Sequence, residues 1–246
     1  MATSQTEALA LKLKSLGADA DDLDLALQAV KHYFCAAPGA DVVRAGDSVG
    51  RSTVLLAGMA CSYKRSEDGA RSILAFHHPG DFCDLHQYAL PERDSEVGIQ
   101  ALTDVVVATI DYRDVDRLFA RPKLALAFWR VTMLEAAIYR ERLTNASRAT
   151  ALERVAHLLC EQLARREAAG IGSGRLPLSQ IDVADATGLS VVHVNRTIQT
   201  LRNLDVLSKA GHLEVIDRNQ LAQVAKFDSR YLDMPQLLSR WAVRVE

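Results

Sequence analysis

The chain has 246 residues, 49% of them apolar, which is enough to bury a substantial core in one large or two medium domains. Its formal net charge is −2, so no global basic field marks it as a nucleic acid-binding protein. The segment from Met1 to Ser15 does not resemble a secretory leader, and no run of about 18 apolar residues could cross a membrane. We therefore expect a cytoplasmic chain that does not contact membranes.

The cysteines argue against a bound metal or iron–sulfur cofactor. There are four of them, far apart in the sequence, and they form no Cys-x-x-Cys pair. We expect no cofactor and buried, reduced thiols. The cysteines are Cys35, Cys61, Cys83 and Cys160.

The first half of the chain predicts short helices followed by antiparallel strands. Leucines recur at short intervals through residues 1 to about 35, as in helices that pack on another element. Short apolar runs then alternate with turns, which favours a sandwich or roll. Asp68-Gly69 is the clearest hairpin signal, because this pair suits a tight turn between two strands. The predicted strands span residues 41–44, 54–57, 59–63, 72–76, 96–100 and 104–110.

A long helix is predicted after a short one over Tyr112–Phe119. Pro122 suits its first turn, where the missing N–H of proline costs nothing. Apolar residues then recur with heptad spacing and form a seam that is broken at Glu141. This seam predicts a dimerisation helix, with a core helix of its own chain as the alternative. The seam residues are Leu124, Ala127, Val131, Leu134 and Ile138.

The stretch from Leu178 to Arg202 predicts two short helices joined by a tight turn. Ser179 is an N-cap candidate for the first helix, and Gly188 can adopt the left-handed conformation that often ends a helix. Ser190 is the cap of the second helix, in which apolar residues at spacings of four and three form one face. The pattern is typical of a helix-turn-helix, whose second helix offers its free face to a DNA major groove. An ordinary two-helix hairpin is the alternative.

A hairpin is predicted directly after these helices. Apolar residues in segments 204–207 and 213–216 flank the glycine-bearing segment 208–212, as in two short strands joined by a turn. A helix-turn-helix followed by such a hairpin is a winged helix. We further predict one helix from Ala151 to about Ala168 and terminal helices over residues 218–227 and 234–243.

Taken in order, these parts resemble the Crp/Fnr family of bacterial transcription regulators over roughly residues 42–215. The resemblance implies an α+β fold with a β-roll of the cyclic nucleotide-binding type, a long dimerisation helix and a C-terminal winged helix-turn-helix. It divides the chain into a sensor domain at 1–120, the dimerisation helix at 121–148 and a DNA-binding domain at 149–246. The matching pieces are Arg44-Ala-Gly-Asp47, Leu55-Leu-Ala-Gly58, Tyr63-Lys-Arg-Ser-Glu-Asp-Gly-Ala-Arg71, Pro79-Gly-Asp-Phe82, Ala101-Leu-Thr-Asp104 and Leu176-Pro-Leu-Ser179.

Departures from the family pattern bear on the signal that such a regulator senses. Members that bind cyclic AMP carry a Gly-Glu pair after the Pro-Gly-Asp-Phe turn and an Arg-Ser pair later, for the ribose hydroxyl and the phosphate. Here Asp84-Leu85 and Asp94-Ser95 occupy the matching places. A carboxylate repels the phosphate, and leucine cannot accept a hydrogen bond from the ribose. The N-terminal cysteine cluster of Fnr-type members is also missing, so neither cyclic AMP nor an iron–sulfur cluster is expected to control the protein.

Two other kinds of sensing remain as alternatives. His77, His78 and His86 lie near the turn and could ligate haem or a metal, although core or surface histidines are commoner. Cys83 or Cys160 could act as a thiol sensor, although no sequence feature lowers the pKa of either thiol. Effector-binding residues are not assigned, and a small-molecule effector stays unidentified.

The resemblance also assigns contacts to double-stranded DNA. Arg196 matches the family's base-reading arginine, while the two other family positions hold Val191 and Val192, whose methyl groups suit thymine methyls. His193 and Asn195 are candidates for further polar base contacts. Candidate phosphate contacts are Ser179, Ser190, Thr200, Arg202 and Lys209.

The sequence as a whole thus predicts a regulator that binds a palindromic DNA operator as a homodimer, with RNA polymerase as a further candidate partner. The rival hypothesis is a sensory module whose winged helix binds a protein rather than DNA. The weak basic balance favours that rival, since from Ala149 onward there are 12 lysines and arginines against 11 aspartates and glutamates. The sequence contains no catalytic triad, phosphate-binding loop or metal-binding motif that would indicate an enzyme.

Overall fold

The computed structural model describes residues 6–47, 50–90 and 94–232, and the predicted helix at residues 234–243 lies outside these ranges. The chain divides into two compact units, Met1–Glu135 and Ala136–Glu246. No helix in the described ranges is long and apolar enough to cross a membrane.

The first unit begins with the predicted short helices. They are α1 (Glu7–Ser15) and α2 (Ala20–Ala29). The carboxylate of Asp19 caps α2 by accepting a hydrogen bond from the backbone N–H of Asp22 at 3.0 Å. Both helices turn leucine and alanine side chains into the core.

Antiparallel strands make up most of the rest of this unit, as predicted. The strands are β1 (Lys31–Ala36), β2 (Asp41–Val43), β3 (Arg51–Ala57), β4 (Ala60–Arg65), β5 (Arg71–His77), β6 (Gly98–Ala101) and β7 (Val105–Asp111). One sheet has the strand order β1-β7-β3 and the other the order β2-β6-β4-β5. In the first sheet Leu55 on β3 lies opposite Val107 on β7, and both side chains enter a buried cluster with Ile99 of β6.

The β4–β5 hairpin has the turn that its sequence predicts. Ser66 and Ala70 close the turn through a 3.0 Å hydrogen bond from Ser66 N to Ala70 O. Gly69 has a φ of +83°, in the left-handed region where a side chain is strained and glycine is not. The turn residue thus explains why the chain reverses here.

Strand β1 corrects the prediction of helices to about residue 35. Lys31–Ala36 pairs with β7 at the edge of its sheet, with Phe34 opposite Val107. All but the last of its side chains are exposed, so the strand lacks the alternation of buried and exposed residues by which strands are recognised. Its place in the sheet comes from pairing with β7, which is remote in sequence.

Helices close the first unit. They are α3 (Leu85–Tyr88), α4 (Tyr112–Phe119) and the start of α5 (Pro122–Arg148). Phe128 of α5 packs edge-on against Phe82 with ring centroids 5.3 Å apart, inside a core that includes Leu9, Leu13 and Val54. Burial of one such large apolar side chain contributes about 1.5–3 kcal/mol to the free energy of unfolding.

The second unit is built around α6 (Ala151–Ala168), which is buried along most of its length. It packs against α7 (Gln180–Thr187), α8 (Val191–Asn203) and α9 (Arg218–Ala225). Two short strands, β8 (Arg175–Leu176) and β9 (Leu213–Glu214), and a 3₁₀ turn at Ser229–Leu232 complete it.

The wing differs from the predicted hairpin. Strand β9 pairs with β8, which precedes the two helices, and segment 204–207 contributes only an isolated bridge from Leu207 to Val215. The reason lies at the end of α8, where the backbone N–H of Val206 donates to Leu201 O at 3.0 Å. This bond keeps the segment in the helix-terminal turn, so too little of it is left to form a strand.

A buried ion pair joins the end of α5 to α6 inside the second unit. Arg142 Nη2 lies 3.0 Å from Glu161 Oε1, and Glu161 also accepts hydrogen bonds from Tyr231 OH at 2.9 Å and Gln162 Nε2 at 2.9 Å. Burial alone would raise the pKa of Glu161, but the charges of Arg142 and Arg165 and the Arg142 hydrogen bond lower it below its usual range. The carboxylate is therefore held charged in the interior by its partners.

Candidate nucleic-acid interface

Helix α7 begins in a fully formed capping box. Ser179 Oγ accepts a hydrogen bond from the backbone N–H of Asp182 at 3.1 Å, and Asp182 Oδ2 accepts one from the backbone N–H of Ser179 at 2.9 Å. The helix ends at Gly188, whose φ of +68° turns the chain and whose N–H donates to Ala184 O at 2.9 Å. These local contacts define the predicted turn between the two helices.

Helix α8 presents the five predicted base-reading residues on its exposed side. Ser190 Oγ accepts from the backbone N–H of His193 at 3.2 Å and caps the helix, as predicted. The buried side consists of Val194, Thr197, Ile198 and Leu201. The exposed side carries Val191, Val192, His193, Asn195 and Arg196, with Val192 the most exposed of the apolar members at 63%.

The predicted phosphate contacts fall into two groups. Ser179, Ser190 and Thr200 are exposed on the same two helices. Lys209 is 78% exposed and pairs with Asp205 at 3.2 Å, a surface contact that contributes little and can be exchanged for a phosphate.

Arg202 has a different place from the one expected. Its guanidinium donates from Nε to Ser208 O at 3.2 Å and from Nη2 to Ala210 O at 3.0 Å. These bonds tie the end of α8 to the turn before β9. The side chain therefore holds the wing in position, and a phosphate contact by Arg202 would compete with these bonds.

A groove of about 480 Å³ borders α8 and includes residues that the sequence interpretation missed. One wall is the N-terminus of α6, formed by Thr150, Ala151 and Leu152, and the other is α8 with Arg196 and Thr200. The helix start carries a capping box in which Glu153 Oε2 accepts from the backbone N–H of Thr150 at 2.8 Å. Hydrogen bonds from Lys226 and Thr150 lower the pKa of Glu153 to about 2, so its carboxylate is charged and offsets the attraction of this helix start for a phosphate. The Thr-x-x-Glu signal at Thr150 was visible in the sequence.

Asp84 of the first unit lies in the core and not on a ligand-accessible surface. It is 2% exposed, and its Oδ1 accepts hydrogen bonds from Thr53 N at 2.6 Å and Ser52 Oγ at 3.1 Å. Its Oδ2 has no hydrogen-bond partner among the described residues. Burial raises the pKa of Asp84 to about 6, against hydrogen bonds from Thr53 and Ser52 that lower it.

The structure also gives the positions of the neighbouring residues that differ from the pattern of cyclic AMP-binding members. Leu85 is buried in the main core of the first unit, Asp94 is exposed, and Ser95 is buried with its Oγ donating to Val97 O at 2.6 Å. Gln87 Nε2 donates to the backbone oxygen of Asp94 at 3.1 Å. The segment is thus held by internal contacts of its own.

The histidines and cysteines named as alternative sensors lie mostly in the interior. His77 Nε2 is 2.7 Å from Ser62 Oγ, and both side chains are buried. Burial raises the pKa of the Cys83 and Cys160 thiols well above the usual value, and the charge of Asp84 adds to this at Cys83. Protonated, buried thiols are poor nucleophiles, which disfavours the thiol-sensor alternative. The described residues hold no cluster of His, Cys, Asp or Glu with the geometry of a metal site.

The predicted dimer seam of α5 faces inward, and the opposite seam faces out. Leu124, Ala127, Val131 and Ile138 are buried in the single chain, and Leu134 is half-buried. This seam therefore packs within its own chain, as the core-helix alternative predicts. The exposed apolar side chains of α5 are Leu126, Trp129, Met133, Tyr139 and Leu143, with Trp129 62% exposed.

Comparison with known proteins agrees with the order of the two units. Residues 35–122 match the model of the cyclic nucleotide-binding domain, and residues 153–224 match that of the Crp-like helix-turn-helix domain. The chain is 27% identical over 231 residues to the transcriptional activator protein FnrL of Cereibacter sphaeroides, covering 89% of this chain and 91% of that protein. It is 32% identical over 177 residues to the nitrogen fixation regulation protein FixK of Azorhizobium caulinodans, covering 69% and 68%.

A solved structure shares the fold. FixK2 from Bradyrhizobium japonicum superposes with a TM-score of 0.69 at 25% identity, covering 78% of this chain and 96% of that one. These relatives are named as regulators and no enzyme family is indicated. With a cyclic nucleotide-binding domain, a long helix and a Crp-like helix-turn-helix domain in the family's order, the chain belongs to the Crp/Fnr family of transcription regulators.

Proposed function

We propose that this protein is a sequence-specific DNA-binding regulator that binds a two-fold symmetric operator as a homodimer, without control by cyclic AMP or an iron–sulfur cluster. RNA polymerase is a compatible further partner, as is a small-molecule effector. The domain division at residues 120 and 148 is part of the same proposal.

The exposed side of α8 is the observation that carries the proposal. The Arg196 side chain makes no hydrogen bond or ion pair with any other described residue, so its five donors are free for a ligand. Such a guanidinium binds guanine O6 and N7 with two hydrogen bonds, which is worth about 1–3 kcal/mol against a wrong base. Val191 and Val192 lie beside it and suit thymine methyl groups.

Dimerisation is assigned to the outward seam of α5. Leu126, Trp129 and Met133 follow one another at spacings of three and four, and the heptad continues through Ala136 and the exposed Arg140 to Leu143. An apolar stripe of this length on a helix is unusual on a monomer. Two chains that pair along it would carry two recognition helices for successive major grooves, about 34 Å apart.

The absence of cyclic AMP control rests on the residues in the expected ligand positions. Leu85 is buried and apolar, and Asp94 offers a negative charge where the nucleotide phosphate would lie. Asp84 is engaged with Ser52 and Thr53 inside the core. Among the described residues of this segment, 84–90 and 94–95, there is no lysine or arginine to bind a cyclic phosphate.

One observation favours the rival function, a winged helix that binds a protein. Ile181, Val191 and Val192 are all exposed apolar residues of the helix-turn-helix, and a protein partner could cover them equally well. The two functions differ in salt dependence, because DNA affinity falls steeply as counterions compete for phosphates.

Selection from random duplex DNA by the purified protein, with no ligand added, tests the proposal. We expect enrichment of a two-fold symmetric motif. Arg196→Ala should then lower affinity for that motif about 5- to 100-fold and relax the preference at one base pair in each half-site. Arg113→Ala, which removes an exposed arginine of the first unit, is the matched control and should leave the motif unchanged.

Three results would contradict the proposal. Enrichment of no motif would contradict sequence-specific DNA binding by the protein as purified, in the absence of an effector. An unchanged motif with Arg196→Ala would contradict the reader assignment. An asymmetric motif would contradict binding as a symmetric homodimer.

A further inference from the structure

A hydrogen bond joins the first residue of α7 to the exposed side of α8. Asn195 Nδ2 donates to Gln180 Oε1 at 3.0 Å. Gln180 directly follows the capping residue Ser179, whose capping box with Asp182 fixes the start of α7. The bond therefore connects a firmly placed backbone position to a side chain that faces the proposed DNA ligand.

This restraint distinguishes Asn195 from the other proposed base readers. The side chains of Val191, Val192, His193 and Arg196 have no hydrogen-bond or ion-pair partner among the described residues. Asn195 is exposed, so burial does not hold its amide in one orientation. Gln180 is what holds it.

The orientation of an asparagine amide decides which base it can read. Its oxygen accepts hydrogen bonds and its nitrogen donates two, so a half-turn about the last side-chain bond exchanges acceptor and donor. Adenine presents N7 as an acceptor and N6 as a donor in the major groove, and asparagine matches both at once. With one N–H committed to Gln180, Asn195 keeps its second N–H for N7 and its oxygen for the N6 amino group.

Gln180 has the same ambiguity, and the DNA backbone would remove it. The first helix of a helix-turn-helix crosses the sugar–phosphate backbone. Phosphate oxygens only accept hydrogen bonds, so they select the orientation in which the Gln180 nitrogen points toward the phosphate and its oxygen points toward Asn195.

We propose that Gln180 is a positioning residue that orients Asn195 to read adenine, and that a backbone phosphate orients Gln180. This inference rests on the proposed DNA-binding function and adds a determinant of its specificity. Gln180 itself touches no base. Once the phosphate has oriented Gln180, the hydrogen bond removes the alternative orientation of Asn195, so the base contact of Asn195 carries less of the cost of ordering that side chain.

Two substitutions of Gln180 separate positioning from a simple phosphate contact. Gln180→Ala removes both the acceptor for Asn195 and the donor for the phosphate. Gln180→Glu keeps the acceptor, and since a carboxylate cannot donate, the Asn195 nitrogen must still point toward it. The glutamate also repels phosphate, so it should weaken binding to all sequences alike.

The experiment measures affinities of the purified dimer for the selected operator and for duplexes changed at each single base pair. Asn195→Ala identifies the base pair that Asn195 reads. At that pair, we expect Gln180→Ala to lower the preference for adenine roughly two- to tenfold and to leave the other positions unchanged. Gln180→Glu should retain the wild-type preference at that pair while lowering affinity at every sequence.

A double variant and a surface control complete the set. Adding Gln180→Ala to Asn195→Ala should change the preference no further, because Gln180 acts only through Asn195. Gln223→Ala, an exposed glutamine on α9, should leave all preferences unchanged.

An unchanged preference for adenine with Gln180→Ala, an equal loss of base preference at every position, or additive effects on preference in the double variant would each overturn the inference. Loss of the preference with Gln180→Glu would overturn it as well. Failure of the proposed function is distinguishable, since the wild-type protein would then select no motif at all.

Discussion

Asp84 places an ionisable carboxyl in the interior of the first unit, and its pKa makes a measurable prediction. The folded-state pKa is raised to about 6 from an ordinary value of 3.8. At 1.36 kcal/mol per pKa unit, this difference corresponds to about 3 kcal/mol by which the charged form opposes folding at pH 7. The largest cause is burial, and the hydrogen bonds from Thr53 and Ser52 offset only part of it.

The sign of the pH dependence is opposite to that of most carboxylates. Between pH 6 and 4 the folded protein binds a proton at Asp84 that the unfolded chain does not, so the contribution of Asp84 to stability increases as the pH falls. Asp84→Asn mimics the neutral acid in shape and removes the titration. The free energy of unfolding of the variant minus that of the wild type should therefore decrease by about 2.4 kcal/mol between pH 7 and pH 4, most of the full difference of about 3 kcal/mol.

Hydrogen exchange of the β3 backbone amides, measured at increasing urea concentrations, would give this difference in the free energy of unfolding for the first unit by itself. Taking the difference between variant and wild type cancels the other titrating groups and any constant cost of the new amide. Asp104→Asn, an exposed aspartate of the same unit, controls for the change in net charge. A difference that stays constant from pH 7 to 4, or that increases on acidification, would refute the assignment of a buried, partly unsatisfied carboxylate.

Two further substitutions test the long helix and its junction with α6. Met133→Glu puts a charge on the outward seam of α5 and should convert dimers to monomers in light scattering, whereas Leu11→Glu, on another exposed apolar residue, should leave the mass unchanged. A persistent dimer would exclude this seam. Arg142→Met leaves the Glu161 carboxylate buried without its main partner and should lower the free energy of unfolding of the second unit by about 3–5 kcal/mol. Arg148→Met, at an exposed position of the same helix, should change it by less than about 0.5 kcal/mol, and equal losses would contradict the role of the ion pair.

The parts of the fold that the sequence predicted are those with short-range causes. The capping residues Ser179 and Ser190 and the turn glycines Gly69 and Gly188 act on backbone within a few residues, so their effects can be read along the chain. The alternation of apolar and turn residues likewise located β2 to β7. Order along the chain was then enough to recognise the family.

Long-range contacts decided what the sequence left open. Two seams of α5 have the same heptad spacing, one through Leu124 and one through Trp129, and periodicity cannot say which of them faces the core. Strand β1 lacks alternation because it lies at a sheet edge. In both cases the deciding partner is remote in sequence.

The same division holds in the candidate interface. The sequence by itself determined that α8 has one apolar and one exposed face, and that Arg196 belongs to the exposed one. Only the tertiary structure decided that Arg202 holds the wing turn, that the N-terminus of α6 borders α8, and that Gln180 restrains Asn195. The physical reason is that a helical face follows from local spacing, whereas a hydrogen bond between side chains on different elements depends on how those elements pack.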